Sequence, residues 1–362
     1  MSRPFDPSLP LARAHTLPTV AYTDPAIDRA ERSAIFRRTW QLAGRTESLR
    51  EIGSFITSDV AGEPILLVRG EDGRLRGFWN VCWHRAAPLL TDDCGTCTKL
   101  RCRYHGWTYD LAGELRGTPE WAGVEDFERS EYGLKPVPGL AEFGPFAFVK
   151  LDAPEPGFEA AYPEFAAWSE GREAIHLPMW FERRSYELNC NWKVYVDNFL
   201  DGGYHVNTVH PALAGAIDYR EYRTDVFPLC SLQSSPLKAT DGVVGATRTG
   251  EAAYWWLWPN AMINAYSGAM DTNVVWPLGP DRCRVVFDFF FAPDSTESFR
   301  RDSIAVAEEV QREDIDICEQ VQRGLQSTGY DTGRFSVLRE AGGHAFHRFV
   351  AAALDPSTGG IR

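Results

Sequence analysis

The sequence predicts an α+β chain of two domains, one all-β and one an antiparallel sheet with a long C-terminal helix. Three observations predict it. Short apolar, β-prone runs separated by turn signals fill residues 54–151. A stretch dense in proline and acid, DAPEPGFEAAYPEF, then interrupts the pattern. Beyond it, aromatic and β-branched runs over 226–292 precede a helical pattern over 299–325, an order of strands then helix that belongs to α+β rather than alternating α/β chains. The expected boundaries are 45–155 for the all-β domain, with 1–44 and 156–362 forming the other. A length of 362 residues suits two domains of this size.

Taken in order, Thr23-Asp24-Pro25 marks a helix start, and Ile27, Ala30, Ala34 and Ile35 recur at roughly helical spacing. PILLVRG and LRGFWNVC read as strands joined by an EDG turn, and FGPFAFVKL closes the all-β segment. Residues 192–206 read as a helix. VVWPLGPDRCRVVFDFFFAP reads as a strand pair with a turn at its Gly-Pro-Asp. No internal repeat or low-complexity tract is evident.

With 37 basic and 50 acidic residues the net charge is −13, which argues against a nucleic-acid partner. No apolar run approaches the roughly 20 residues that span a bilayer, and the first 20 residues carry proline and arginine without an apolar signal core. The expectation is a cytoplasmic protein without a membrane partner. Four of the eight cysteines, Cys82, Cys94, Cys97 and Cys102, fall close together among His84 and His105. In a reducing compartment such a cluster reads as a metal site.

Cys82-x-His84 and Cys102-x-x-His105 each offer a thiolate and an imidazole. Two Cys and two His suit tetrahedral zinc or a two-iron cluster whose one iron takes both thiolates and the other both imidazoles. Zinc spacings are usually C-x2–4-C and H-x3–5-H, which these mixed pairs do not follow. The CxHR and CxxHGW pair about 20 residues apart reads as a Rieske [2Fe-2S] signature. Cys94-x-x-Cys97 lies between the two halves and reads as a loop feature.

In NWKVYVDNFLDGGYHVNTVHP, helical spacing puts Val194, Asn198, Asp201 and His205 on one face. Polar groups aligned on a buried-type face need partners, and a metal would satisfy them. His210, followed by Pro211, falls past the helix end and would bend back toward His205. Two histidines and a carboxylate form the facial triad of mononuclear iron(II) oxygenases. Along 299–325, Val310, Asp314, Ile317 and Val321 share one face, which selects Asp314 as that carboxylate and Asp316 as its rival. Glu309, Glu313, Asp316 and Gln320 form the solvent side.

On these segments, with PNAMINAYSGAMDTNVVWPLGP and EDIDICEQVQRGLQSTGYDTGRFSVLREAGGHAFH, the chain resembles the oxygenase (α) component of Rieske non-heme iron oxygenases from Leu17 onward. It is most similar to the choline monooxygenase-like branch. The resemblance implies an all-β Rieske domain and a helix-grip catalytic domain. It implies that Cys82, His84, Cys102 and His105 hold the cluster and that His205, His210 and Asp314 hold Fe(II). Asp201, four residues before His205 with Gly202-Gly203 between, would bridge the two centres, and Asn198 would act beside it. Further implications are O2 as co-substrate, NAD(P)H oxidised by a ferredoxin and/or flavin reductase, and a homo-oligomer, commonly a trimer, with electrons crossing between subunits.

The expected reaction is hydroxylation or oxidative demethylation of a small substrate, a quaternary ammonium compound such as choline or a betaine. The alternative is an aromatic ring hydroxylating oxygenase or an aromatic O/N-demethylase. A non-enzyme reading, an electron carrier fused to a binding domain, has no use for the second metal site. Trp255, Trp256, Trp258, Asn264, Tyr266 and Trp276 fall where a substrate pocket is expected. Aromatic faces there would hold an ammonium at about 0.5–2 kcal/mol per contact, with Asp271 the one acidic residue in that stretch. His344 and His347 are two further histidines on one C-terminal segment.

Overall fold

The computed structural model describes residues 5–172, 175, 179–239 and 241–355. The ends of the second expected domain, 1–4 and 356–362, lie outside the described residues. The chain divides into two compact units, Trp40–Phe158 and Met1–Thr39 with Glu159–Arg362. The first starts before residue 45 because β1 (Gln41–Arg45) pairs with β10 (Phe146–Lys150), which in turn pairs with β9 (Gly139–Phe143).

Within that unit β2 (Ser54–Val60), β3 (Glu63–Arg69), β4 (Leu75–Trp79) and β5 (Cys94–Thr96) make a sheet of order β4-β3-β2-β5. Positive φ at Ala61 and Gly62 closes the two-residue β2–β3 hairpin, a backbone that matches the strand twist. A third sheet joins β6 (Leu100–Arg101), β7 (Thr108–Tyr109) and β8 (Leu115–Gly117). Phe55, Leu66, Phe78, Trp107 and Tyr109 bury into one apolar cluster that also takes in Cys82 and Cys102. Cys94 is exposed on β5 rather than in a plain loop, and Cys97 packs half-buried against that cluster.

The second unit opens with α1 (Pro25–Glu31), whose cap is the Asp24 side chain accepting from Ala26 N–H at 2.7 Å. Its elements then run β11 (Met179–Leu188), α2 (Trp192–Phe199), α3 (Val206–Val209), α4 (Pro211–Ala216), β12 (Arg223–Val226) and β13 (Cys230–Pro236). They continue through α5 (Gly242–Thr247), β14 (Glu251–Leu257), β15 (Ala261–Tyr266), β16 (Ala269–Gly279), β17 (Arg282–Phe291), α6 (Glu297–Leu325) and α7 (Ala341–Leu354). The strands form one antiparallel sheet of order β11-β17-β16-β15-β14-β13-β12. Packed against this sheet and its helices, β14, β15 and β16 are buried over most of their length, so they read as near-continuous apolar and aromatic runs.

Two ties fix α2. Lys193 Nζ donates to Glu31 Oε1 at 2.6 Å with both side chains sealed from solvent, and Trp192 Nε1 donates to the other oxygen at 2.7 Å. Tyr195 Oη donates to Gln311 on α6 at 2.6 Å. The expected helix over 192–206 stops early. Leu200 closes α2, and Gly202 (φ 68°) and Gly203 (φ 70°) turn the backbone left-handed. A Cβ on Gly202 would stand 2.1 Å from the Arg339 carbonyl oxygen, so the turn needs glycine there. Asp201 and His205 therefore leave the helix instead of continuing its face. No described helix is long and apolar enough to cross a membrane.

Candidate metal centres and substrate cavity

The two Cys/His pairs occupy matched turns. Cys82 N–H donates to Ala87 O and Cys102 N–H to Trp107 O, both at 2.8 Å. In return Ala86 N–H donates to Cys82 O at 2.9 Å and Gly106 N–H to Cys102 O at 3.0 Å. Ala86 (φ 59°) and Gly106 (φ 75°) supply the same left-handed residue in each turn. The thiols of Cys82 and Cys102 point into the apolar core, while His84 and His105 stand outward with ring centroids 4.5 Å apart. His84 stacks on Trp107 at 5.1 Å. Cys82 Sγ lies 3.5 Å from Tyr109 Oη, and the His84 backbone N–H also reaches that sulfur. Sulfurs inside and imidazoles outside suit a two-iron cluster with one buried and one outer iron.

The second site is assembled from three elements. His205 precedes α3, His210 lies between α3 and α4, and Asp314 sits mid-way along α6. Their ligating atoms all lie within 4.8 Å of one another. His205 Nε2 and His210 Nε2 are 2.9 Å apart, and His210 Nε2 is 3.1 Å from Asp314 Oδ1. His205 Nδ1 donates to Asp201 Oδ2 at 2.5 Å, and His210 Nδ1 donates to Glu313 Oε2 at 2.6 Å. A carboxylate only accepts, so each Nδ1 carries the proton and each Nε2 presents a lone pair. Both Nε2 atoms and the Asp314 carboxylate converge on one space, a set of two nitrogens and one oxygen that fits a divalent metal. Burial works against a charge on His210, yet Asp314 and Glu313 outweigh it and hold that imidazole above its usual range.

Asp201 also accepts from the backbone N–H of Tyr204 and His205 at 3.0 and 2.9 Å, which freezes the Gly-Gly turn. Asn198 Nδ2 donates to Asp314 Oδ1 at 2.7 Å and so aims the carboxylate. Asp316, the rival carboxylate, is exposed and takes a hydrogen bond from Gln320. Glu313 is a correction: it lies on the side expected to face solvent but binds His210. Its partner arrives from a loop over a hundred residues away, which a single-helix periodicity cannot register. His347 is placed elsewhere, accepting from Leu17 N–H and donating to Asp197 Oδ1 at 2.8 Å.

A cavity of about 120 Å³ opens beside the triad. Tyr195, Phe199, Tyr222, Tyr254, Tyr266 and Phe287 supply its aromatic wall, and Asn264, Asp271, Asn273 and Arg248 its polar wall. Cross-strand register sets Tyr254 opposite Asn264 and Asn264 opposite Asp271. Asn264 and Tyr266 thus line the cavity as expected by position, but Trp258 and Trp276 do not. Trp256 and Trp258 pack on Phe346 and Phe349 of α7, and Trp255 on Phe165, Trp168 and Phe227, so the tryptophans serve packing. Burial pushes the phenols of Tyr222, Tyr254 and Tyr266 up, so the wall presents neutral rings. Arg248, Tyr222 and Tyr254 carried no sequence signal, since only the closed sheet brings them to one space.

Comparison with known proteins agrees with this geometry. Residues 39–128 match the Rieske [2Fe-2S] domain, and residues 180–356 match the ring hydroxylating alpha subunit catalytic domain. The chain is 39% identical to the chloroplastic choline monooxygenase of Arabidopsis thaliana, over 95% of this chain and 84% of that protein. It is 30% identical to the carnitine monooxygenase oxygenase subunit of Acinetobacter pittii, over 92% of each. The crystal structure of a quaternary ammonium Rieske monooxygenase in complex with L-carnitine superposes with a TM-score of 0.85 at 29% identity, covering 96% of this chain and 99% of that one. Matches at these identities over most of both chains, to two curated oxygenases and to one solved structure, make the chain a member of the Rieske non-heme iron monooxygenases, an oxidoreductase family whose domains imply a Rieske cluster and iron.

Proposed function

We propose that the chain is the oxygenase component of a system that hydroxylates a carbon next to a quaternary nitrogen. The observation that carries this reading is the cavity itself, where neutral aromatic faces and the buried Asp271 border the His205, His210 and Asp314 donors. Aromatic faces and one carboxylate are what a desolvated ammonium requires. The named activities of the relatives, choline and carnitine monooxygenation, support it.

In this reading Trp40–Phe158 is the electron-transfer domain and the remainder the catalytic one. Cys82, Cys102, His84 and His105 hold the cluster, and His205, His210 and Asp314 hold the iron. When bound, these groups supply single electrons and O2 activation, drawing on NAD(P)H through a ferredoxin or flavin reductase. One oxygen atom enters the product and the other leaves as water, which takes two electrons and two protons. Asp201 and Glu313 hold the imidazole tautomers, Asn198 holds the carboxylate, and the aromatic wall keeps bulk water from the reacting carbon. Asp201 would also meet a cluster histidine of a neighbouring subunit in a ring assembly.

The test is a single turnover. The protein is purified anaerobically, its cluster chemically reduced, and O2 added with choline, glycine betaine, carnitine or simple aromatic acids. Cluster reoxidation stimulated by a quaternary ammonium, with an aldehyde or demethylated product, is expected. Stimulation by aromatic acids alone would replace this substrate class with the ring-hydroxylating one.

A further inference from the structure

The cavity beside the triad contains two buried charges that the chain does not pair. Arg248, at the end of α5, is 3% exposed. Its guanidinium donates to Thr247 O at 3.2 Å, Ser303 Oγ at 2.7 Å and Ser303 O at 3.3 Å, all neutral acceptors. Among the described residues no carboxylate lies within 4.0 Å of it. Asp271 is 5% exposed, and its Oδ1 accepts from Asn264 Nδ2 at 2.8 Å and Asn273 Nδ2 at 3.1 Å. No cationic side chain stands within 4.0 Å of it among the described residues. Burial pushes its carboxyl above the usual carboxylate range, with Arg248 only partly offsetting this from a distance.

Two neutral polar atoms share this condition. Asn264 Oδ1 and Tyr254 Oη are buried without a hydrogen-bond partner. Both residues line the cavity with Arg248 and Asp271. Arg248 Cζ lies 4.3 Å over the Tyr266 ring, so one face of that ring is already taken. An isolated buried charge is costly unless a partner arrives, and here one of each sign awaits a partner in a single small space.

We propose that the substrate is a zwitterion, a quaternary ammonium joined to a carboxylate. The carboxylate accepts from Arg248, whose planar fork suits two oxygens. The ammonium faces Asp271 and the free tyrosine faces. A quaternary ammonium alcohol satisfies the acidic half and leaves Arg248 buried and unpaired. This inference rests on the quaternary ammonium reading above and narrows it from that class to its carboxylate members.

The experiment measures binding to anaerobic, iron-loaded full-length protein by calorimetry. The probes are glycine betaine and carnitine, which differ in the spacing of their charges, with choline and tetramethylammonium as carboxylate-free counterparts. The better of the two carboxylates is expected to bind at least about tenfold tighter than choline. Arg248→Gln is expected to weaken that carboxylate by about 10- to 100-fold and to move choline by less than about threefold. Asp271→Asn is expected to weaken all four ligands, including tetramethylammonium. The wild-type ranking needs no variant to fold: choline binding as tightly as either carboxylate overturns the zwitterion assignment and leaves the ammonium reading intact. Binding by none of the four, with aromatic acids bound instead, overturns both.

Discussion

Asp201 and Glu313 play parallel parts at the two imidazoles, and their substitutions should differ in kind. Asp201→Asn keeps an acceptor for His205 Nδ1–H but removes the charge, so both metals are expected to stay bound while turnover falls about 10- to 100-fold. Single-turnover kinetics on the iron-loaded variant checks this, and an unchanged rate removes Asp201 from the path between centres. Glu313→Gln acts on a half-exposed side chain that holds only the His210 ring. Iron affinity is expected to drop about 10- to 100-fold, read by titrating iron out with a chelator. Asp314→Ala should abolish mononuclear iron binding, whereas Asp316→Ala should leave it unchanged. Reversal of those two outcomes would show that the carboxylate is drawn from the other face of α6.

At the scale of elements, the metal site depends on where α2 stops. Gly202→Ala puts a methyl into the Arg339 carbonyl and forces φ 68° on a residue that resists it. The expected result is a displaced Asp201–His205 turn, with mononuclear iron lost and the cluster absorbance kept. Normal iron content in that variant would mean the turn tolerates a side chain. The α1–α2 contact is a separate lever. Lys193→Met strands Glu31 in the core and is expected to cost about 3–5 kcal/mol in denaturant unfolding, whereas replacing both partners by apolar residues of similar size should recover much of it. Equal losses in the single and double variants would show that the pair acts through shape rather than charge.

For the whole molecule, the two donor sets belong to different compact units. Cys82 and Cys102 are enclosed by the apolar cluster of the first unit, while the triad opens onto a cavity in the second. Mild chelation is therefore expected to remove the single mononuclear iron and leave the cluster irons and their visible spectrum. Parallel loss of both, followed by iron analysis and absorbance, would show that the units do not protect their metals independently. Substrate should then bind the chelated protein with the tyrosine wall and Arg248 intact, since neither depends on the iron for its position.

The sequence by itself determined the α+β class and the Rieske oxygenase family, and it singled out Cys82, His84, Cys102 and His105 at one candidate centre and His205, His210 and Asp314 at the other. Those signals are short-range: Cys-x-His and Cys-x-x-His spacing, and an acid on the apolar side of a regular helix. It also carried the long C-terminal helix and the strand-rich stretch before it, since amphipathic and β-prone patterns reflect local burial. Only the tertiary structure decided how those pieces meet. The Gly202-Gly203 turn ended a helix that periodicity alone would extend, because left-handed backbone is cheap for glycine and the Arg339 carbonyl fills the space a side chain would need. Trp258 and Trp276 went to packing and Tyr222, Tyr254 and Arg248 to the cavity, because strand alternation names two faces without saying what covers each. Glu313 became a histidine partner for the same reason: a helix face acquires its role from the loop that docks on it, and that contact is set by the fold rather than by neighbouring residues.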